Sequence, residues 1–310
     1  MTEQTTLESA IDAAVEDGQS LYLAGFSHLI PFASGHEIIR QGYTDLELVR
    51  ATPDLIYDRM IAAGCASKAT FSWAGNPGVG CLRAFRRAVE EGVPNPLEIE
   101  EYTHFGMVAR LKAGAQKLPF VPLRTFAGSD LPEYNDKIRT VADPFSDDGE
   151  NEGEDVHVVP PLEPDTAVVR AQRADADGNA QLWGIVGETV DAALAAETVV
   201  LSVEQVVDES VIRSDPNRTM IPGTAVDYVV EIPYGSHPSY VQGYYDRDNP
   251  SYVEWDEVSE THESTLDWLD EWVYEVTDHR EYLEKLDAER LLDLQPQPDY
   301  AEPIDMGDYS

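Results

Sequence analysis

VHVVPPLEPDTAVVRAQRADADGNAQLWG, residues 156–184, decides how this chain folds. Val156, Val158 and Val159 lead into the double proline Pro160-Pro161. The run Thr166–Arg170 is short and β-branched, the signature of a buried strand. Asp177-Gly178-Asn179 then signals a tight turn, because glycine tolerates positive φ and Asn and Asp close their own turns. Ala180–Trp183 resumes as strand. The pattern predicts a hairpin that carries polar groups to one edge of a sheet.

Working outward from the hairpin, strands are expected at Ser20–Ala24, Leu46–Val49 and Ala69–Trp73 on its N-terminal side. Helices alternate with them at 6–17, at 35–41 with Ser34 as cap, at 54–64, at 81–91 and at 105–116. On the C-terminal side a helix over 188–196 precedes strands at 198–202 and 225–231. Strands alternating with helices, with glycines at the strand ends, predict an open, mainly parallel α/β sheet flanked by helices. No internal repeat or sharp linker divides residues 1–250. Residues 246–310 carry 21 acids against four basic residues. Within them Leu266, Leu269, Val273, Val276, Leu283 and Leu286 are spaced for one helical face or two short helices, and Trp268 and Trp272 add a second apolar strip. This predicts an acidic helical extension over 251–295, docked on the body or on a partner, and a disordered tail over 296–310. A mobile acidic insertion is expected at 143–155.

Composition limits the function classes. The 310 residues are 42% hydrophobic, enough for a substantial core. No stretch approaches the roughly eighteen apolar residues of a membrane span, and the N-terminus has neither the basic start nor the apolar core of a signal peptide. Cys65 and Cys81 are too few for a disulfide framework and lack metal-ligand spacing, which fits a reducing cytoplasm. A formal charge of −38 repels nucleic acid and anionic lipid. The acids are spread along the chain and only five of the 21 basic residues are lysines. That distribution points to adaptation to high salt rather than to an acidic interaction tail.

Three places offer chemistry. Gly25-Phe26-Ser27-His28 leaves a strand toward a helix, where an α/β sheet presents its ligand crevice. Ser27 and His28 read either as substrate contacts or as a turn former and a core-edge histidine. The turn does not match the G-x-S-x-G elbow of serine hydrolases. Gly75-Asn76-Pro77-Gly78-Val79-Gly80 leads into another helix. It is neither the dinucleotide G-x-G-x-x-G nor a phosphate loop. Its amides at Asn76, Gly78 and Gly80 are expected to face a thioester oxyanion or a carboxylate, or its glycines serve only close packing. Glu98-Ile99-Glu100-Glu101 is the richest acid cluster, read as a functional site or as surface charge.

The motif AQRADADGNAQLWG (171–184) resembles the hallmark of the alpha (A-type) chain of two-subunit family I coenzyme A-transferases, of the glutaconate CoA-transferase kind. LAGFSHLIPFASGHEIIRQG (23–42), GNPGVGCLRAFRRA (75–88), IEEYTHFGMVARLKAGAQKLPFVPLRTFAGSDL (99–131) and EIPYGSHPSYVQGYY (231–245) are similar to further family segments, in the family's order. The resemblance implies an enzyme that moves coenzyme A from an acyl-CoA to a (di)carboxylic or 3-oxo acid through a glutamyl-CoA intermediate. The glutamate nucleophile would be supplied by a partner B subunit, with coenzyme A as substrate and no permanently bound cofactor. This chain would contribute the cleft wall and oxyanion donors and be inactive alone. Arg124 lies in a segment that sits beside the cleft in family members, to pair a carboxylate or to serve a structural ion pair. Two other readings remain. Acyl-CoA hydrolases and ring-opening lyases of the same fold use an acid on the alpha chain, which maps to Glu101. A non-catalytic chain that keeps the fold without the chemistry is the third.

Overall fold

The computed structural model describes residues 2–146 and 155–296. The insertion expected at 143–155 falls mostly outside them, and the expected tail does so from residue 297. In chain order the strands are β1 (Glu3–Gln4), β2 (Ser20–Leu23), β3 (Leu46–Val49), β4 (Ala66–Phe71), β5 (Glu98–Glu101), β6 (Val121–Leu123), β7 (Arg139–Ala142), β8 (Asp155–Val159), β9 (Thr166–Ala174), β10 (Ala180–Gln181), β11 (Thr198–Val206), β12 (Thr219–Ile221) and β13 (Tyr228–Glu231). The helices are α1 (Leu7–Ala14), α2 (Phe32–Gln41), α3 (Leu55–Ala62), α4 (Arg83–Glu90), α5 (His104–Ala115), α6 (Leu131–Tyr134), α7 (Thr189–Ala195), α8 (Glu209–Ser214), α9 (Asn249–Val258), α10 (His262–Leu269), α11 (His279–Lys285) and α12 (Ala288–Asp293).

The main sheet runs β1-β13-β11-β9-β2-β3-β4-β5, every neighbour parallel. Apart from β1 at the far edge, strands on the β9 side of β2 come from the second half of the chain, and those on the β3 side come from the first. The order therefore switches direction between β2 and β9. Side chains alternate across the sheet. Leu21, Leu23, Leu48 and Val168 pack with α1–α4 on one face. Tyr22, Val49, Ala167 and Val169 pack with α5 and α7 on the other. A separate antiparallel sheet, β6-β8-β7, takes up the valines at 156–159.

The expected hairpin is β9–β10, antiparallel, with Ala180 opposite Ala174. Its turn is closed by Asp175, whose Oδ1 accepts from the amides of Asp177 at 3.1 Å and Asn179 at 2.9 Å, while Gly178 takes φ +86°. Both β9 and β11 extend well past their predicted ends. The extra length of β11 carries Glu204, which is ion-paired with Arg170 on β9; Arg170 also donates to the Ile232 carbonyl. Tyr245 Oη and the Tyr234 amide, each at 2.7 Å, complete the glutamate's shell. A paired, hydrogen-bonded charge is tolerated inside where a bare one is not.

Helix α2 begins at Phe32, three residues before its expected start, and Ser34 is a buried residue inside it rather than its cap. The residue at the cap position is Pro31. Gly35 lies inside the helix: a Cβ there would lie 2.3 Å from Ile56, so the glycine lets α2 and α3 approach closely.

The C-terminal helices join the body's own core. Tyr252, Trp255, Leu269 and Val273 share one cluster with α1–α4. Between them, buried Arg59 of α3 is boxed by Trp268, Trp255 and Phe32, its guanidinium carbon 4.2, 4.8 and 5.2 Å from the three ring centroids. Each such contact contributes about 0.5–2 kcal/mol. The second tryptophan strip is formed by Trp268 stacked with Trp272 at 6.2 Å. Leu266, expected on the buried face, is 39% exposed.

Candidate active site

Open parallel sheets bind ligands beyond the carboxyl ends of their strands, where the strand order reverses. Here that place is the turn Gly25–Leu29, which leaves β2 where β9 continues past its pairing with β2. The turn is strained. Ser27 and Leu29, neither a glycine, take φ +59° and +55°, a conformation that costs about 1–2 kcal/mol per residue. Gly25 at φ +105° has no alternative: a Cβ would meet Ile30 Cγ1 at 2.7 Å and the His28 carbonyl at 2.8 Å. Such strain persists only where the surroundings impose it, and it concentrates at functional sites.

His28 is one of the groups that impose it. It is fully buried; Nδ1 donates to the Ile185 carbonyl at 3.1 Å, and Nε2 accepts from the Gln242 amide at 3.0 Å. Burial lowers its pKa to about 4, so the ring is neutral with both nitrogens occupied. His28 therefore ties the β2 turn to the 183–185 and 240–242 loops and has no nitrogen left for a substrate. Gln172 of β9 braces the same junction, donating to the Trp183 carbonyl at 2.8 Å. Ser27 stays at the rim, half-buried, its carbonyl accepting from Ser239 Oγ at 3.0 Å.

The glycine turn at 75–80 spends its polar groups internally. The Asn76 amide donates to the Gly80 carbonyl at 2.8 Å, and the amides of Val79 and Gly80 return to the Asn76 carbonyl at 3.0 Å each. Asn76 Nδ2 donates to the Tyr252 carbonyl at 2.8 Å. Arg247 Nη2 donates to the Pro77 carbonyl at 2.9 Å, and Asp256 lies 3.2 Å from where a Gly80 Cβ would stand. Asn76, Gly78 and Gly80 thus belong to a turn that seats α9. The expected presentation of all three amides to an anion is corrected, because two of them are already bonded within the turn. Arg124 follows β6 on the small sheet, exposed and 3.0 Å from Asp143. An exposed pair of this kind contributes little.

Strand alternation separates Glu100 from Glu101 on β5. Glu100 points inward, where Lys68 at 2.6 Å, Lys137 at 2.7 Å, Tyr102 at 2.7 Å and Arg110 at 3.2 Å surround it. Burial pushes its carboxyl up, but hydrogen bonds from Lys137, Lys68 and Tyr102 and the charge of Arg110 outweigh that and bring it to about 2. Glu101 is exposed at the carboxyl end of the strand, its carbonyl accepting from Asn135 Nδ2 at 2.9 Å.

Two residues without an assignment from sequence complete the rim. Ser72, just past β4, donates from Oγ to the Ala51 carbonyl at 2.6 Å and lies 3.2 Å from His104 Nδ1. His104 opens α5, which Thr103 caps by accepting from the Gly106 amide at 3.1 Å. The ring also meets Phe26 edge-on at 5.8 Å. Trp73, Phe105 and Ile185 expose 49%, 61% and 48% of their surface beside them. The legible signal for His104 was its position, first in a helix entered directly from a strand; Ser72 is brought to it only by the pairing of β4 with β5.

The coenzyme A transferase family pattern matches residues 4–232, nearly three-quarters of the chain. The chain belongs to the coenzyme A transferase family. The alpha (A-type) chain of the 3-oxoadipate CoA-transferase of Pseudomonas knackmussii is 47% identical over 286 residues, covering 92% of this chain and 99% of its own. The crystal structure of glutaconate coenzyme A-transferase from Acidaminococcus fermentans superposes with a TM-score of 0.90 at 34% identity, over 96% of both chains. The IpdA chain of the cholesterol ring-cleaving hydrolase of Rhodococcus jostii is 31% identical over 254 residues, 79% of this chain and 83% of its own. The open parallel sheet is thus the family's fold, and the strained turn and most of the rim described above lie inside the family-matched region.

Proposed function

We propose that this chain is the alpha chain of a two-subunit CoA-transferase whose cleft closes against a B subunit. The observation that carries the reading is the rim beyond β2–β5. There a strained, internally braced turn lies beside Trp73, Phe105 and Ile185, apolar side chains left open to solvent, as befits a surface covered by a partner. A carboxylate of the partner attacks the acyl-CoA thioester, expelling CoA thiolate and forming an acyl–glutamyl anhydride. The thiolate then attacks the glutamyl carbonyl, releasing the first acid and leaving a glutamyl-CoA thioester. An acceptor carboxylate reverses both steps and leaves as the new acyl-CoA. One thioester replaces another, so the exchange requires no ATP. The test is co-expression with a B-type partner in molar KCl, followed by an acyl-CoA plus acid assay with each chain alone and with both. CoA transfer only with both chains supports the proposal; transfer by this chain alone overturns it.

A second reading has one observation in its favour. Glu101 is exposed at the end of β5 rather than locked like Glu100, and among the relatives is one chain of a ring-cleaving hydrolase. CoA release that needs no acceptor acid, and that disappears in Glu101→Ala, favours hydrolysis.

A further inference from the structure

We propose that the C-terminal extension, through Arg290, Asp248 and His237, positions the strained turn of the candidate active site. These three touch no reacting atom and act through the segment 236–242, so they are positioning residues. The effect on turnover rests on the CoA-transferase reading; the mechanical link does not.

Residues 236–242 lie between β13 and α9 and belong to neither. Their backbone forms isolated bridges, Tyr240 with His28 and Val241 with Tyr245, rather than a strand. Individual hydrogen bonds therefore decide where the segment sits. One side of it grips the turn. Ser239 Oγ donates to the Ser27 carbonyl at 3.0 Å, the Leu29 amide donates to the Tyr240 carbonyl at 3.2 Å, and the Gln242 amide donates to His28 Nε2 at 3.0 Å. Ser27 and Leu29 are the non-glycine residues held at positive φ, so the segment restrains the positions that carry the strain.

The other side is gripped by the extension. His237 is 1% exposed; its Nε2 lies 2.8 Å from Asp248 Oδ2, and its Nδ1 lies 2.8 Å from Tyr282 Oη of α11. Arg290 of α12 donates to both Asp248 oxygens, at 2.6 and 3.1 Å, and the Asp248 amide donates to the Pro238 carbonyl at 3.0 Å. Burial pushes the Asp248 carboxyl up, but hydrogen bonds from His237 and Arg290 outweigh it and hold the group below the usual carboxylate range. An ionised carboxylate only accepts, so His237 Nε2 is the donor. Burial keeps the ring neutral, and Nδ1 accepts from the Tyr282 hydroxyl. Both nitrogens are committed, so the network is a clasp rather than a reacting triad. The clasp lies wholly beyond residue 232, where the family pattern ends, and the turn it holds lies within that pattern.

The experiment compares the two-subunit complex carrying wild type, Arg290→Ala, Tyr282→Phe, Ser239→Ala or the double variant Arg290→Ala with Ser239→Ala. Amide hydrogen exchange, followed by mass spectrometry, reads the turn without turnover. Arg290 is the partly exposed member of the clasp, its side chain 32% accessible, so its loss leaves the fold intact. Arg290→Ala speeds exchange in peptides covering 25–32 and 236–242 roughly tenfold, as loss of a charged hydrogen bond does, and leaves β3 unchanged. Tyr282→Phe removes one hydroxyl and does the same to a smaller extent. Turnover is then measured well below the Tm of each variant. In Arg290→Ala kcat falls roughly tenfold while KM for both substrates stays within about twofold, because a displaced turn misaligns reacting groups more than it weakens binding. The kcat loss from Ser239→Ala shrinks when Arg290 is already alanine, since both act through one segment. A lowered Tm with unchanged exchange at 25–32, a uniform rise in exchange along the chain, or kcat losses that simply add would overturn the positioning role. A complex that transfers no CoA refutes the transferase reading, and the exchange result still decides this one.

Discussion

Replacing Glu100 by glutamine tests whether the acid cluster of β5 is structural, as its geometry indicates, and the size of the effect follows from the structure. The carboxylate is 9% exposed and its pKa falls from 4.5 to about 2. A shift of that size corresponds to about 3 kcal/mol of stability at neutral pH, or about 2 kcal/mol once residual solvent screening is allowed for. Glu100→Gln also leaves Arg110 and Lys137 facing a neutral amide, while Lys68 retains Glu47 at 3.4 Å. We expect a loss of about 2–3 kcal/mol at pH 7. The sign with pH is fixed by the depressed pKa: the stabilisation is fully present above the unfolded value near 4.5 and is lost as pH falls through 2. The difference between wild type and variant should therefore shrink to under half by about pH 3. Denaturant unfolding of both proteins at one fixed KCl concentration reads it, since contributions from distant groups cancel in the difference. A loss below about 0.5 kcal/mol at pH 7, or one that does not vary with pH, would refute the reasoning.

Burial lowers the pKa of His28 to about 4 and of His279 to about 3, and also lowers those of His36 and His237. These rings are neutral when folded and take up protons on unfolding, so stability is full above about pH 6.5 and falls toward pH 4, by about 1.4 kcal/mol per pH unit for each proton taken up. The pH slope of the unfolding free energy measures it, and His28→Gln should remove one proton from that slope; an unchanged slope contradicts the burial reading. Gly25→Ala should cost about 2 kcal/mol or more, seen as a lowered Tm, because its Cβ would meet Ile30 and the His28 carbonyl below 3 Å; an unchanged Tm means the turn relaxes. Arg59→Ala empties the aromatic box that holds α9 and α10, a loss of about 3 kcal/mol. Chymotrypsin should then cut within residues 255–285 under conditions that leave wild type intact; equal resistance would show that the box does not hold the extension.

Local rules carried much of the fold. Leu46–Val49 is a strand with the expected ends, the helix expected from Thr6 forms with Thr6 as its cap, and Asp-Gly-Asn closes the hairpin, because these features depend on neighbours in sequence. Where partners are distant, the sequence reading fell short. Arg170 ends its expected strand and Glu204 lies past the expected end of the next, and only the pairing of β9 with β11 brings the two charges together. Gly35 argues against helix by propensity, yet permits α2 and α3 to pack. The same limit applies at the candidate site. His28 was legible as a residue of the strand-end turn, but its two hydrogen bonds run to residues 185 and 242 and turn a candidate ligand contact into a brace. The turn at 75–80 was legible as a turn, but the helix it seats lies some 170 residues away in sequence. Ser72 and His104 meet only because β4 pairs with β5.

The most direct test of the account is to trap the intermediate. The complex of this chain with its B-type partner is incubated with acyl-CoA and no acceptor, treated with hydroxylamine, and both chains are weighed by mass spectrometry. The account predicts a glutamyl hydroxamate on the partner chain, formed only when this chain is present. A hydroxamate on this chain, or steady CoA release without acceptor that is abolished by Glu101→Ala, would contradict it.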